Sequence, residues 1–346
     1  MRSDRHIGRW MVKSKAWQCG LAIIGWLVLI AFLHYWLNYR QDVRATIRMG
    51  YMPVVTNLAA PLLDLTSAHT GDYRFKAIKF ASFAEMAEAL RNGHIEAAFM
   101  IAPLAIVLKQ QETDVRIVYI VNRHESTLVV RKALKVRSIL DLAGKTLAVP
   151  MRYSGHHLAV LDMLKGTPVE GRVKIVEMNP PDMASALAAG SLDAYFVGEP
   201  FAAQTLLSGD AEVLHYVEEI WPHFICNLVL VKQDLIERNP EAVRQMVAGA
   251  ARSGMWAHQY PQKAATIASH YWNQPREVIA FALTTPEARI EYDRFTPRVS
   301  EIQELADKMH RYNLIPNTDI TTLVDDRFAR QVDLNGVTDL ESILPP

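Results

Sequence analysis

Cysteine is scarce in this sequence: Cys19 and Cys226 are the only two among 346 residues. They lie on opposite sides of an apolar segment, so a disulfide framework and a cysteine-based metal site are both excluded within one chain. Net charge is lacking as well, because 37 Lys and Arg residues balance 37 Asp and Glu residues. Without an overall positive field, we expect no nucleic acid among the partners.

Common catalytic and cofactor-binding motifs are also missing. The sequence has no phosphate-binding Gly-x-x-x-x-Gly-Lys-Ser/Thr, no dinucleotide glycine fingerprint, no His-Glu-x-x-His and no Gly-x-Ser-x-Gly. The neighbouring His156 and His157 point in different directions on a helix or strand, which makes chelation of one metal by both awkward. We therefore expect no catalytic residues, no metal and no cofactor, and hence a protein that is not an enzyme.

One long apolar run stands near the N-terminus. Residues 21–39 reach the about 20 residues that a helix needs to cross a membrane. Basic residues precede the run, so the positive-inside rule places residues 1–20 in the cytoplasm and the main domain in the periplasm or outside the cell. We expect an uncleaved, single-pass anchor in the inner membrane. A cleaved signal peptide is the alternative, with residues 43–45 as an acceptable but distant site.

The rest of the sequence carries an internal repeat. The pattern of residues 83–105 returns ninety-seven positions later, with nine identical positions and Glu96 matched by Asp193. Each copy has a helical apolar pattern, then a glycine suited to a left-handed helix cap (Gly93 or Gly190), then a short apolar strand. Two such units predict two α/β lobes of similar plan.

The positions of these units define the expected domains. We expect lobe I at 46–128, lobe II at 129–221, a helical return to lobe I at 222–315 and a C-terminal tail at 316–346. The chain crosses between the lobes near Arg123-His124-Glu125, where we expect a hinge rather than a ligand contact. Ligands of open α/β sheets lie beyond the carboxyl ends of the strands, so a small solute should bind in the cleft between the lobes.

Loops at these strand ends supply the candidate ligand-binding residues. They offer helix N-termini, which favour negative ligands, or side chains that form charge-assisted hydrogen bonds. The candidates are Pro53, Thr56, Asn57, Ser82, Ala102, Pro103, Arg152, Ser154, Gly155, His156 and Glu199. Two roles stay open: Arg152 is a ligand contact or a solvated loop residue, and Glu199 is a ligand contact or a helix cap. The expected solute is a small anion or zwitterion.

Several short stretches also carry a family likeness. They include Pro-Pro-Asp-Met at 180–183, Gly-Glu-Pro-Phe at 198–201 and Ser-Gly-His at 154–156. With them, the sequence over roughly residues 46–315 resembles the solute-binding proteins of nitrate/sulfonate/taurine-type ABC importers. The resemblance implies a type II periplasmic-binding fold, an ABC permease and its ATPase as partners, and a solute such as nitrate, a sulfonate or taurine.

The same resemblance matches His156 with a histidine that meets the ligand in the nitrate and bicarbonate members. Their loop usually reads Gly-Gly-Thr-His, whereas this one reads Ser-Gly-His-His, so the ligand does not transfer with the fold. Two alternatives remain: a thiamine-pyrimidine-precursor binding protein or a related enzyme, and a membrane-anchored ligand-sensing domain. The second is raised by the anchor, which departs from the family's usual soluble or lipid-linked form.

Overall fold

The computed structural model describes residues 5–39 and 44–344, and the chain divides into two compact units, residues 1–45 and 46–346. The first unit contains one helix, α1 (Arg5–Tyr39). Within it, Trp17–Trp36 is long and apolar enough to cross a membrane. This segment fits the predicted anchor, and a signal sequence would have the same length and composition.

Lobe I is built on a five-stranded sheet. Its strands are β1 (Thr46–Tyr51), β2 (Arg74–Lys79), β3 (Ala97–Ile101), β4 (Val115–Ile120) and β10 (Asn227–Lys232). The strand order is β2-β1-β3-β10-β4. Strand β1 runs parallel to β2 and β3, whereas β10 lies antiparallel between β3 and β4.

Lobe II repeats this plan. Its strands are β5 (Ser126–Arg131), β6 (Thr146–Val149), β7 (Lys174–Glu177), β8 (Ala194–Gly198) and β9 (Ala211–Tyr216). The order β7-β6-β8-β5-β9 matches that of the first sheet, with β5 antiparallel between β8 and β9. The predicted fold of two similar α/β lobes is therefore confirmed.

Helices cover the sheets and make up most of residues 233–311. They are α2 (Ala59–Ser67), α3 (Phe83–Arg91), α4 (Ala102–Gln110), α5 (Gly155–Leu164), α6 (Pro180–Ala188), α7 (Phe201–Ser208), α8 (Val217–Ile220), α9 (Gln233–Arg238), α10 (Pro240–Gln259), α11 (Pro261–Trp272), α12 (Arg276–Thr284) and α13 (Val299–Arg311). A 3-10 turn, Val55–Asn57, follows β1. Buried faces of α10 and α11 pack with β1 in one apolar core, and α13 packs on α4.

The repeated sequence patterns occupy equivalent places in the two lobes. Helices α3 and α6 are each followed by a glycine with positive φ, 73° at Gly93 and 79° at Gly190, as the capping pattern predicts. Glu96 accepts a hydrogen bond from the Arg48 amide at 2.9 Å, and its repeat partner Asp193 accepts one from the Thr146 amide at 2.9 Å. The matched acids thus hold the starts of β1 and β6 in the same way.

The expected domain boundaries can be compared with the sheets. The boundary at residue 129 falls inside β5, all of which pairs in the second sheet. Strand β10 returns to the first sheet, within the expected return segment. Residues 316–344 contain little regular structure, yet Leu323 and Ile343 are fully buried. Cys19 is exposed, and Cys226 is buried and free.

Candidate functional site

The loops after β1 and β8 touch across the two lobes. The amide of Val55 donates a hydrogen bond of 2.7 Å to the carbonyl of Glu199. Val55 belongs to the 3-10 turn at the end of β1, and Glu199 directly follows β8. The predicted meeting of strand-end loops from both lobes is therefore present. A cluster of buried polar side chains surrounds the contact: Thr56, Asn57, Glu125, Ser126, Thr127, His156, Glu199, Asn227 and Arg289.

A hydrogen-bond chain at this contact joins Glu125, Ser126 and His156. The Ser126 hydroxyl lies 2.9 Å from Glu125 Oε1 and 2.9 Å from His156 Nε2. All three side chains are buried. The other ring nitrogen of His156, Nδ1, has no hydrogen-bond partner among the described residues, so its hydrogen-bonding capacity is unused.

Aromatic packing fixes His156 at the N-terminus of α5. Its ring meets Phe196 and Phe224 edge to face, with centroid distances of 5.0 and 5.4 Å. Burial lowers the pKa of His156 to about 3, so the imidazole is neutral at physiological pH. The preceding Gly155 allows this close approach, because a Cβ there would stand 2.6 Å from the Phe224 ring.

Two buried carboxyl groups lie side by side in the cluster. The Glu199 amide donates to Glu125 Oε2 at 2.7 Å, and Gly198 makes room, since a Cβ there would be 2.9 Å from that oxygen. Burial raises the pKa of Glu125, and burial raises the pKa of Glu199 to about 7. The Glu199 carboxyl accepts hydrogen bonds from Thr127 at 2.7 Å and from the Ala203 amide at 2.9 Å. It therefore caps the first turn of α7.

The cation of the cluster is Arg289, which follows α12. Its guanidinium donates to Glu218 at 2.8 Å and to the Thr127 hydroxyl at 3.0 Å. It also lies over the Tyr216 ring, 4.3 Å from the centroid. Because Glu218 is its direct ion-pair partner, Arg289 leaves the two buried glutamates without a paired cation of their own among the described residues.

Lobe I contributes Thr56 and Asn57 to the same contact. Asn57 donates to the Phe99 carbonyl at 3.3 Å and accepts from Asn227 at 2.6 Å, so its amide holds β10 against the turn. The Thr56 hydroxyl lies beside the Cys226 thiol but makes no hydrogen bond of good geometry. Thr56 is fully buried. Its hydroxyl is thus a second polar group with unused capacity.

Two other predicted site residues, Ser82 and Arg152, lie outside this cluster. Ser82 caps α3 through the Glu85 amide at 3.2 Å, and it lines a cavity of about 300 Å³ together with Met151 and Glu177. The guanidinium of Arg152 is largely exposed and is paired with Glu177 at 2.8 Å. Neither Ser82 nor Arg152 is hydrogen-bonded to the buried cluster.

The remaining predicted residues shape the loops. Ser154 caps α5 through the His157 amide at 3.2 Å, and the Ala102 amide is already used by the Cys226 carbonyl at 3.0 Å. Pro103 is buried in the first turn of α4. Pro53 is buried after β1 and lines a separate cavity of about 430 Å³. These residues support the backbone, and the prediction that they contact a solute stays a prediction.

Sequence reasoning missed four residues of the cluster: Ser126, Thr127, Asn227 and Arg289. Glu125 was noted only as part of a hinge. The first three open the antiparallel strands β5 and β10, whose amino ends lie at the sheet edge where the parallel strands end. That geometry is a usable signal once the strand directions are known. Among the described residues, no group of His, Cys, Asp and Glu is arranged to hold a metal ion.

Comparisons with known proteins give a family. The model of the NMT1-like family matches residues 42–271. The taurine-binding periplasmic protein of Escherichia coli K12 is 30% identical over 190 residues, which is 53% of this chain and 56% of that protein. Overall, the chain matches between about a third and three fifths of the length of the first three curated relatives.

Solved structures show the same fold. The alkanesulfonate-binding protein SsuA from Xanthomonas axonopodis pv. citri, bound to MOPS, superposes with a TM-score of 0.69 at 19% identity, covering 82% of this chain and 99% of that one. The periplasmic nitrate-binding protein NrtA from Synechocystis PCC 6803 gives a TM-score of 0.73 at 15% identity, covering 83% and 88%. By name these relatives are binding proteins and not enzymes.

Proposed function

This chain belongs to the NMT1-like family, and from that premise we propose that it is the solute-binding component of an ABC importer of the nitrate/sulfonate/taurine type. The observation that carries the proposal is the contact between the two lobes, where loops of both sheets meet at a buried polar cluster. A solute held there would touch both lobes at once. Such contacts favour a closed form over an open one.

The chemistry of the cluster favours a small anion or zwitterion. Thr56 and His156 bring unused polar atoms from opposite lobes, and the N-terminus of α5 adds backbone amides. Arg289 supplies positive charge close by. The relatives named for taurine, sulfonates and nitrate support the same class of solute.

Transport would then follow from closure. The closed form would dock on an ABC permease, and the partner ATPase would supply the energy, since this sequence carries no ATP-binding motif. We propose that α1 holds the protein at the inner membrane with the main domain in the periplasm or outside the cell. Without protease, the protein should then stay with the membrane fraction. Protease added to spheroplasts should remove the chain beyond about residue 45. A soluble mature form that starts near Thr46 would contradict the anchor.

Binding can be tested directly on the full chain in detergent. Calorimetry and thermal melting with taurine, ethanesulfonate and nitrate should reveal one that binds at one molecule per chain and raises the melting temperature. The bound solute should be recovered unchanged. Conversion of the solute, or no binding across a wide panel of small anions and zwitterions, would overturn the proposal. Crosslinking in cells separates an importer, which should capture a permease, from a sensor, which should capture a signalling protein.

A further inference from the structure

The chain of Glu125, Ser126 and His156 can carry its hydrogen bonds in two directions. Ser126 has one hydroxyl proton, and its oxygen lies 2.9 Å from a carboxyl oxygen on one side and 2.9 Å from His156 Nε2 on the other. Because it can donate to only one of them, it must accept from the other. The direction at one end therefore fixes the direction at the other.

The two directions give His156 different tautomers. If Glu125 is ionised, Ser126 donates to it and accepts from Nε2–H, so the neutral imidazole leaves a bare lone pair on Nδ1. If Glu125 is protonated, it donates to Ser126, Ser126 donates to Nε2, and the ring proton sits on Nδ1. Nδ1 is the ring nitrogen that has no partner, so its state is what an incoming solute meets.

The surroundings of Glu125 make protonation accessible. Its carboxyl faces the Ser126 hydroxyl, the Glu199 amide and carboxyl, the Cys226 thiol, Arg289 and Tyr292. The one cation among these, Arg289, is ion-paired with Glu218, and its charge lowers the pKa of Glu125 and Glu199 by less than burial raises it. Two adjacent carboxylates without a paired cation are costly to bury, and burial raises the pKa of both.

We propose that Glu125 and Ser126 are positioning residues that set the tautomer of His156, so that binding of an anionic solute takes up one proton. His156 passes its Nε2 proton to the Ser126 oxygen, Ser126 passes its own hydroxyl proton to Glu125, and the imidazole takes up one proton from water at Nδ1. The net uptake is one proton. The Nδ1–H group then donates to an anionic oxygen of the solute. This inference rests on the proposed function, since it concerns the same site.

The tautomer can be measured without any solute. Full-length protein labelled with 15N-histidine, in detergent, reports the protonation of each ring nitrogen, and His156→Gln identifies the His156 signals. We expect Nδ1 to carry the proton at low pH and Nε2 to carry it at high pH. A tautomer that stays constant over the whole pH range in which the protein is folded overturns the inference.

Glu125→Gln should hold His156 in the tautomer that carries its proton on Nδ1. Its amide oxygen is placed to accept the Glu199 amide, and its NH2 group is placed to donate to Ser126, as protonated Glu125 does. We expect the His156 proton to stay on Nδ1 and solute affinity to be independent of pH. In wild type, affinity should fall about tenfold per pH unit above the pKa of Glu125. The matched control Glu88→Gln, at an exposed glutamate paired with Arg91, should keep the wild-type profile.

Ser126→Ala separates a relay from a simple charge effect. Both buried glutamates remain in this variant, but the connection to His156 is cut, so the tenfold dependence should disappear. If it persists, repulsion between carboxylates and solute explains it and the relay is wrong. A tautomer switch in a protein that binds no solute would refute the proposed function alone. Solute binding with a constant tautomer would refute this inference alone.

Discussion

Replacing Thr56 by valine tests the site with two opposite effects on one residue. The substitution keeps the shape of the side chain and removes only the hydroxyl, which is fully buried and makes no hydrogen bond of good geometry. A buried polar group left unsatisfied costs about 1–3 kcal/mol. Removing it should therefore raise the free energy of unfolding of the solute-free protein by about 1–2 kcal/mol.

The same hydroxyl should matter to the solute. If it donates to an anionic group in the closed form, its loss weakens binding by about 1.5–3 kcal/mol, or roughly ten- to a hundredfold. Thus Thr56→Val should make the empty protein more stable and the complex weaker. Residues that serve only to hold the fold do not behave in this way.

Thermal melting and calorimetry on the full chain measure both effects. Melting should rise by about 2–4 °C without solute, and the dissociation constant should increase as stated. The matched control is Thr66→Val on α2, where the hydroxyl donates to the Leu62 carbonyl at 2.9 Å. That control should lose stability slightly and bind normally. A lower melting temperature with unchanged affinity in Thr56→Val would refute the placement of the solute beside Thr56.

Three further predictions concern buried groups of the cluster. Burial lowers the pKa of His156 to about 3, whereas the ordinary histidine pKa in the unfolded chain is about 6.5, so the unfolded chain takes up a proton first as the pH falls. In urea titrations, wild type should therefore lose up to about 1.4 kcal/mol of unfolding free energy per pH unit below about pH 6.5, relative to His156→Gln. The prediction is wrong if the unfolding free energies of the two proteins change with pH in parallel. Burial raises the pKa of Glu199 to about 7, so the unfolded chain loses this proton first as the pH rises above about 4.5. The unfolding free energy of Glu199→Gln should therefore rise relative to wild type by up to about 3 kcal/mol between acid and neutral pH. A difference between the two proteins that is equally large at acid pH would refute this prediction. Gly155→Ala should lower the unfolding free energy measured in urea by about 1–3 kcal/mol, because the added Cβ would clash with the Phe224 ring. Adding Phe224→Leu should recover part of this loss. If the effects of the two substitutions are simply additive, the contact is not the cause.

Much of the fold could be predicted because the repeat fixes it. A helix, a glycine cap and an apolar strand recur at fixed spacing, so local patterns sufficed to foresee two α/β lobes, and Gly93 and Gly190 take the expected positive φ. The C-terminal residues 316–344 carry no such period. They are held by single apolar residues such as Leu323, whose placement depends on distant partners that local patterns do not reveal.

The candidate site could be predicted only in part, for a reason of strand direction. The rule that ligands lie at the carboxyl ends of strands pointed to Thr56, Asn57, His156 and Glu199, and the structure brings these to the lobe contact. It could not point to residues at the start of β5 and β10, since the sequence does not show that these strands run antiparallel to their neighbours. Arg289 donates a hydrogen bond to Thr127, which lies 162 positions earlier in the sequence, and local sequence patterns do not predict such a distant pairing.

The late return of β10 has a consequence for how the protein is made. The second sheet is complete within one uninterrupted stretch, residues 126–216, whereas the first sheet lacks an inner strand until residues 227–232 have been synthesised. As the chain emerges during synthesis and export, β3 and β4 at first lack β10, the strand that pairs with both of them. Their apolar edges are then exposed and can pair with other chains. Lobe II can therefore form first, and a chain cut short before residue 227 should aggregate through the unfinished lobe I.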